Sequence, residues 1–166
     1  MIVKRILLIC LVALFLLVSC VTPFSGITYY SDKPLVSNKA FISVDETTKT
    51  INGESYLIPA GYTMVAVSDS QTVKLGTIEN KEVIKNSLVS KGFSITSSKD
   101  SSDLFVVVES ITNPEKSEVY IGFYLTETEE LLFLCKGVFG TGYTMQDDLN
   151  MALQEALKSV PYYSVQ

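Results

Sequence analysis

The sequence has no histidine and no tryptophan, and its 166 residues include three cysteines and one arginine, Arg5. Without histidine the chain lacks an imidazole base, a proton shuttle and the commonest metal ligand. Charged residues make up 19% of the chain, with 13 basic residues against 18 acidic ones. Apolar residues make up 47%, which excludes wholesale disorder and favours one packed domain.

The N-terminus has the pattern of a secretory signal peptide. Lys4 and Arg5 precede an unbroken apolar run over residues 6–18, which ends in Leu-Val-Ser-Cys. A helix that spans a bilayer needs about 20 apolar residues, and this run is shorter. The pattern therefore predicts a signal peptide over residues 1–19.

The segment Leu17-Val18-Ser19-Cys20 resembles the lipobox of bacterial lipoproteins. The resemblance implies cleavage between Ser19 and Cys20 and acylation of Cys20, so that acyl chains hold the protein to a membrane. Several acyl chains on one residue anchor a protein stably, whereas one chain does so only marginally. The implied location is the cell envelope, outside the cytoplasm, and Val21 after the cysteine favours the outer membrane. The alternative is an ordinary signal peptide that is uncleaved or cleaved elsewhere, with Cys20 present by chance.

Cleavage would leave a more acidic chain with one unmodified cysteine. The remaining 11 lysines and 18 acidic residues give a net charge of −7. Nucleic-acid binding needs clustered basic residues, so we expect no nucleic-acid partner. Only Cys135 would keep a free thiol, which excludes an internal disulfide. Without a histidine base beside it, Cys135 is expected to be a buried core residue.

The mature chain divides into a predicted tether and a folded domain. Residues 20–40 are rich in Ser, Thr and Pro and show no regular period, which predicts a flexible tether. Residues 41–166 form the single domain, which opens with a short strand from Phe41. Asn52-Gly53 lies between residues typical of strands and predicts a type I′ hairpin turn.

Hydrophobic patterning predicts two helices and a three-stranded meander in the rest of the domain. A narrow apolar stripe predicts the first helix, with Asn80 as N-cap and Gly92 after its end. Thr144 and Asp147 form a capping box before the second helix. The segments are residues 82–91 (helix), 103–109, 118–126 and 131–139 (strands), and the helix that begins after Thr144. They predict an α+β fold: a two-layer sandwich with a mixed, mostly antiparallel sheet of about four to six strands and two helices on one face.

A family resemblance covers roughly residues 62–163. Asp103 before an apolar run, a strand with Gly137, and a helix with paired Ala152 and Ala156 before Pro161 resemble small bacterial lipoproteins of domain-of-unknown-function type 4136. The architecture is also similar to lipoproteins that assist curli secretion or lipopolysaccharide insertion. The resemblance implies a fold and a location, and it carries over no catalytic residue.

The sequence shows no pattern that requires a cofactor, a metal or a catalytic residue. Its acidic pairs, such as Glu129 and Glu130, are adjacent in sequence, so their side chains are expected to diverge as solvated charges. Tyr120 and Tyr124 are expected to share one face of a strand, and Tyr143 adds aromatic surface. Tyrosine is enriched at protein interfaces, which makes these three residues a candidate partner-binding patch.

These features favour a membrane-anchored envelope lipoprotein, non-enzymatic, with a binding or assembly role toward a protein or other envelope component. The alternatives are a periplasmic carrier of a small apolar ligand or lipid, and, on the acidic count alone, a hydrolase that uses carboxylates.

Overall fold

A computed structural model describes residues 21–33, 35, 37–60 and 63–163, so Ser19 and Cys20 lie outside the described residues. The elements are β1 (Val21–Tyr29), β2 (Lys39–Val44), β3 (Thr48–Ala60), β4 (Thr63–Lys74), α1 (Ile78–Ser90), β5 (Ser94–Ile95), a short 3-10 helix (Lys99–Ser101), β6 (Leu104–Thr112), β7 (Ser117–Leu125), β8 (Leu131–Gly140) and α2 (Met145–Ser159).

Six of the strands form one mixed sheet in the order β1-β8-β7-β6-β2-β5. β2 runs parallel to β5 and β6, and the other neighbours in this sheet are antiparallel. β3 and β4 pair with each other in a separate antiparallel two-stranded sheet. The α+β class, the mostly antiparallel sheet and the β6-β7-β8 meander are confirmed.

Both helices cover one face of the six-stranded sheet. Their apolar residues share a single core with alternate residues of the strands, because successive side chains of a strand point to opposite faces. The most buried members of this core are Ala40, Ile84, Leu88, Val106, Val108, Val119, Ile121, Phe123, Cys135, Leu149, Ala152 and Ala156. The two-layer arrangement predicted from the apolar spacing is therefore confirmed.

A glycine lets α2 approach the sheet closely. A Cβ atom on Gly137 would lie 2.1 Å from the carbonyl oxygen of Ala152 and 2.2 Å from the amide nitrogen of Ala156. The small Ala152 and Ala156 side chains are fully buried at this contact. The paired alanines and Gly137, which stand far apart in sequence, thus form one helix–sheet contact.

The helix ends agree with the sequence in part. The Thr144 hydroxyl caps α2, where it accepts from the Asp147 amide at 3.1 Å, and Gly92 follows α1 with a φ of 92°. The prediction of Asn80 as N-cap of α1 is wrong, because the Thr77 side chain accepts from the Asn80 amide at 3.1 Å. Asn80 is buried instead, and its side-chain amide donates to the Leu75 carbonyl.

The prediction of a flexible tether over residues 20–40 needs correction. Residues 21–29 are β1, an edge strand that pairs antiparallel with β8 and packs Ile27 against the core. Pro23 falls in a register shift between Val21 and Phe24, a position that an edge strand tolerates. Because the strand is irregular here, its sequence shows no regular alternation of apolar and polar residues, although the segment contributes a strand to the sheet.

The predicted hairpin turn at Asn52-Gly53 is also wrong. The β3–β4 ladder continues through this point with a register shift between Asn52 and Ser55, and its last pair is Ala60 with Thr63. An extra residue in one strand is accommodated as a bulge, which suits a glycine. The hairpin is therefore longer than the turn signal indicated.

Candidate functional site

The candidate site is the outer face of the six-stranded sheet, opposite the helices. Along β6, Leu104, Val106 and Val108 are buried, while Phe105 and Val107 between them are half-buried. The same alternation in β7 places Tyr120 and Tyr124 on the outer face. That the two tyrosines share a face agrees with the predicted alternation.

Three aromatic side chains form a ladder across the outer face. Phe41 of β2, Phe105 of β6 and Tyr124 of β7 are direct cross-strand partners. The rings of Phe41 and Phe105 stack with centroids 6.1 Å apart and 14° between planes, and Tyr124 lies 6.4 Å from Phe105 at 45°. The Lys99 ammonium lies 4.3 Å from the centre of the Phe105 ring. The aromatic ladder is a continuous apolar strip with a cation over its central ring.

Gly122 provides room for one rung of this ladder. A Cβ atom at this position would lie 2.7 Å from Cε2 of Tyr124. The Tyr124 ring therefore leans along its own strand over Gly122. A larger residue would push the ring away from the position in which it meets Phe105.

Tyr120 belongs to a charged cluster on the same face. Its hydroxyl donates to the Glu118 carboxylate, which also binds the ammonium groups of Lys116 at 2.6 Å and Lys136 at 2.8 Å. These three donors, Lys116 first, lower the pKa of Glu118 to about 2. The Lys136 ammonium lies 5.1 Å from the centre of the Tyr120 ring. The tyrosine is thus held in one orientation.

The third predicted tyrosine lies elsewhere. Tyr143 is fully exposed in the loop between β8 and α2. That loop follows Gly140, whose neighbour Phe139 pairs with Ser117 at the start of β7, whereas Tyr124 lies near the end of β7. The structure therefore brings Tyr120 and Tyr124 together on one face and leaves Tyr143 at one end of the sheet.

An open strand edge adjoins the aromatic ladder. Only Lys39 and Ala40 of β2 pair with β5, so the rest of this edge has no strand beside it within the described residues. A groove of about 380 Å³ runs along it, between β2 and α1, and includes Phe41 and Val44 in its lining. Phe41 belongs to both features.

The acidic neighbours Glu129 and Glu130 diverge to separate partners, as expected, whereas Asp148, which follows Asp147, is buried and accepts from the Gly142 amide at 2.6 Å. Glu129 binds Lys99 at 2.9 Å, while its neighbour Glu130 accepts from Ser31 at 2.8 Å and binds Lys33. Hydrogen bonds from these partners lower the pKa of both carboxyls. A carboxyl that acts as a general acid at neutral pH needs a raised pKa, and neither Glu129 nor Glu130 has one.

Cys135 is buried in the core, as the sequence predicts. Its side chain is inaccessible to solvent, and burial raises the pKa of the thiol to about 11. A thiol with a raised pKa is a poor nucleophile because little thiolate forms near neutral pH.

Comparisons with known proteins found two similar solved structures and no matching family. No family model matches the chain, and no curated protein matches it. Two solved structures of PelC dodecamers from Paraburkholderia phytofirmans are similar at 12% sequence identity. One covers 84% of this chain and 99% of its own with a TM-score of 0.40; the other, a single-substitution variant, covers 83% and 98% with a TM-score of 0.39.

Two features are absent from the part of the chain that the structure describes. No described helix is long and apolar enough to cross a membrane. Likewise, within the same residues no group of three His, Cys, Asp or Glu side chains could hold a metal ion.

Sequence reasoning missed Phe41 and Phe105 as members of the candidate site. Phe105 stands inside a continuous apolar run, which favours a strand buried on both faces. Which residues of β6 face outward can be told only from its pairing with β7, in which Phe105 lies opposite Tyr124. The outward-facing Tyr124 was the available signal.

Proposed function

We propose that the protein is a lipid-anchored envelope protein with a non-enzymatic binding role, and that the outer face of its sheet docks a protein partner. The proposal combines the lipobox-like segment that ends at Cys20 with the aromatic ladder. The lipobox-like segment supports the proposed location, and the aromatic ladder supports the proposed docking surface.

The aromatic ladder is the observation that carries the binding role. Phe41, Phe105 and Tyr124 lie side by side on the face opposite both helices, and each remains half-buried. Aromatic side chains bury large rigid surfaces at little entropic cost and are enriched at the centres of interfaces. Covering this strip would stabilise a complex more than covering scattered apolar residues.

The adjoining edge of β2 indicates the form of the partner. Unpaired backbone groups on a sheet edge can accept an additional strand, and neighbouring pockets then select its side chains. Phe41 links the edge to the aromatic ladder. We therefore propose that an extended segment of an envelope protein lies along β2 and places apolar side chains over Phe41 and Phe105.

The anchor is tested by substitution of Cys20 in the full chain expressed in a bacterial host. Cys20→Ala should abolish incorporation of labelled palmitate and move the protein out of the membrane fraction. Cys135→Ala is the matched control, because it removes the buried thiol and should leave both properties unchanged. Palmitate labelling that persists in Cys20→Ala would contradict the proposed anchor.

The docking surface is tested by photocrosslinking in intact cells. A photoreactive amino acid at Tyr124 should give a discrete adduct, and the same group at the exposed Asn86 on α1 should not. Phe41→Ser should weaken the Tyr124 adduct while the thermal unfolding of the purified protein shows that the domain remains folded. Equal adducts from both positions, or an adduct insensitive to Phe41→Ser, would count against this surface.

A further inference from the structure

β1 leaves no free length of chain between the proposed anchor and the domain. Val21, the residue that follows Cys20, pairs with Gly140 at the end of β8. From Phe24 to Tyr29 every residue of β1 has a partner in β8. The folded domain therefore begins within one residue of the position that would carry the acyl chains.

Contacts along β1 hold this segment to the domain. Ile27 packs against the core, and the ring centroids of Tyr29 and Phe133 lie 5.8 Å apart. Directly after the strand, the Tyr30 amide donates to the Leu132 carbonyl at 2.9 Å. Because β1 is part of the sheet, its residues are not available to extend as a linker.

The aromatic ladder lies at the end of the sheet that is farther from Val21. Ser117 at the start of β7 pairs with Phe139, the neighbour of Gly140, whereas Tyr124 is the next-to-last residue of β7. At about 3.3 Å per residue, the strand from Ser117 to Tyr124 spans roughly 23 Å. β8 lies between β1 and β7, and neighbouring strands are about 4.8 Å apart, so the direct distance from Val21 to Tyr124 is about 30 Å.

This distance limits how far the outer face can move from the membrane. A flexible tether over residues 20–40 would have allowed about 70 Å more, at about 3.4 Å per residue. Without that tether, the domain can tilt about Cys20, but the ladder stays within about 30 Å of the bilayer surface. The strands that carry the ladder run between this end and the far end, so a domain that stands on the anchored end presents its outer face toward neighbours in the same membrane layer.

We propose that the protein that docks on the outer face is bound to the same membrane as Cys20, and that its extended segment lies within about 30 Å of the bilayer surface. The proposal rests on the acylation of Cys20 and on the docking surface, both proposed above. Two proteins confined to one membrane meet at a high effective concentration. A partner on another membrane would have to extend its segment to this short distance, and a partner free in the compartment would gain no effective concentration from the anchor.

The fixed height of the domain is tested by energy transfer in the purified acylated protein. A donor fluorophore is attached at Thr128→Cys, in the exposed turn between β7 and β8 at the far end of the sheet. Cys135 is buried and its pKa is raised, so the introduced cysteine is the reactive thiol. The protein is reconstituted into phosphatidylcholine vesicles with an acceptor fluorophore on the headgroups.

The matched control carries a flexible spacer of about twenty Gly and Ser residues between Cys20 and Val21, with an r.m.s. length of roughly 25 Å. The parent should show the more efficient energy transfer, and the spacer should lower it. Equal transfer from the two proteins would overturn the proposal, because the parent would then move as freely as a tethered domain.

The position of the partner is tested by photocrosslinking from Tyr124 in intact cells. A semi-rigid helical spacer of about twenty residues, inserted at the same place, lifts the domain by roughly 30 Å, whereas the flexible spacer still lets the ladder come close to the bilayer. The helical spacer should remove most of the Tyr124 adduct, and the flexible spacer should retain it. Equal yields from the parent and both variants would overturn the proposal, and so would a higher yield with the helical spacer.

Attachment of the partner to the membrane is tested with a protease site in the flexible spacer. Cleavage after crosslinking should release the uncrosslinked domain, while the adduct should stay in the membrane fraction because the partner holds it there. An adduct released together with the free domain would overturn the proposal.

Palmitate labelling and the Tyr124 adduct of the parent distinguish this proposal from the function on which it rests. A parent without palmitate, or without any Tyr124 adduct, would remove the anchor or the docking surface and the shared membrane with it. An acylated parent whose adduct is unaffected by either spacer would keep the anchor and the docking surface and remove only the shared membrane.

Discussion

The two faces of the six-stranded sheet are built from alternate residues of the same strands, yet they differ in how completely they are packed. On the inner face, Phe123 is inaccessible to solvent and stacks on Phe133 with centroids 4.4 Å apart. On the outer face, Phe105 also stacks on an aromatic neighbour but stays half-buried. Aromatic contact occurs on both faces, and only the inner one is sealed by helices.

This difference separates residues that maintain the fold from residues available for binding. Substitutions on the inner face should lower the free energy of unfolding. The interior is close-packed, so a side chain there cannot move into solvent to relieve a clash, and a cavity is not filled. Substitutions on the outer face should leave the domain folded and change what it binds. Matched pairs of variants, one on each face, can measure the contrast.

The largest contrast is expected between two phenylalanines. Phe123→Ala would leave a cavity beside Phe93 and Phe133 and should cost about 3–5 kcal/mol of unfolding free energy. Phe105→Ala removes a half-exposed ring and should cost about 1–2 kcal/mol. Chemical denaturation of the purified variants measures both values. Equal losses would mean that the outer face is packed as fully as the core.

Two glycines on neighbouring strands give the next contrast. Gly137→Ala would place a Cβ atom against the backbone of α2, which cannot move without displacing the helix, and should cost about 3 kcal/mol. Gly122→Ala would place it against the Tyr124 ring, 2.7 Å away, which can rotate outward. We expect this second substitution to cost less than about 1 kcal/mol.

Thermal unfolding of the two glycine variants measures this contrast. The Gly122→Ala variant should also weaken the Tyr124 crosslink, because the ring leaves the aromatic ladder. A larger loss of stability from Gly122→Ala than from Gly137→Ala would reverse the assignment of the two faces.

The elements predicted well from sequence are those whose pattern is local. The apolar spacing of α2, its Thr144 cap and the alternation in β7 each depend on neighbouring residues. β1 was missed because its strand character depends on pairing with β8, which lies more than a hundred residues further along the chain. The turn predicted at Asn52-Gly53 was wrong because a glycine can serve in a turn or in a bulge. The register of the whole β3–β4 ladder decides between the two.

In the candidate site, too, local patterns were predicted from the sequence and long-range pairing was not. Alternation placed Tyr120 and Tyr124 on one face, which the structure reproduces. Phe41 joins them through parallel pairing of β2 with β6, a crossover that passes through β3, β4, α1, β5 and the 3-10 helix. The distance between Phe41 and Phe105 along the sequence does not predict that contact. Tyr143 was grouped with the other tyrosines on residue type alone.

The smallest expected contrast between paired variants is electrostatic and belongs to the outer face. Glu118 has its pKa lowered to about 2, from an ordinary value of 4.5, by Lys116, Lys136 and Tyr120. A lowered pKa in the folded state stabilises the fold above the unfolded pKa, and this contribution is lost as the pH falls from about 4.5 to about 2. Because the lysines are partly exposed, we expect about 1 kcal/mol.

Glu118→Gln should therefore be less stable than the parent protein at pH 7, and the difference should vanish near pH 2. Glu109→Gln is the matched control, since Glu109 lies opposite Tyr120 on the same face and makes none of the ion pairs found among the described residues. Denaturation at a series of pH values measures both. A difference between Glu118→Gln and the parent that does not change with pH would show that the carboxylate acts through packing, and the outer face would then resemble the inner one more closely than its exposure indicates.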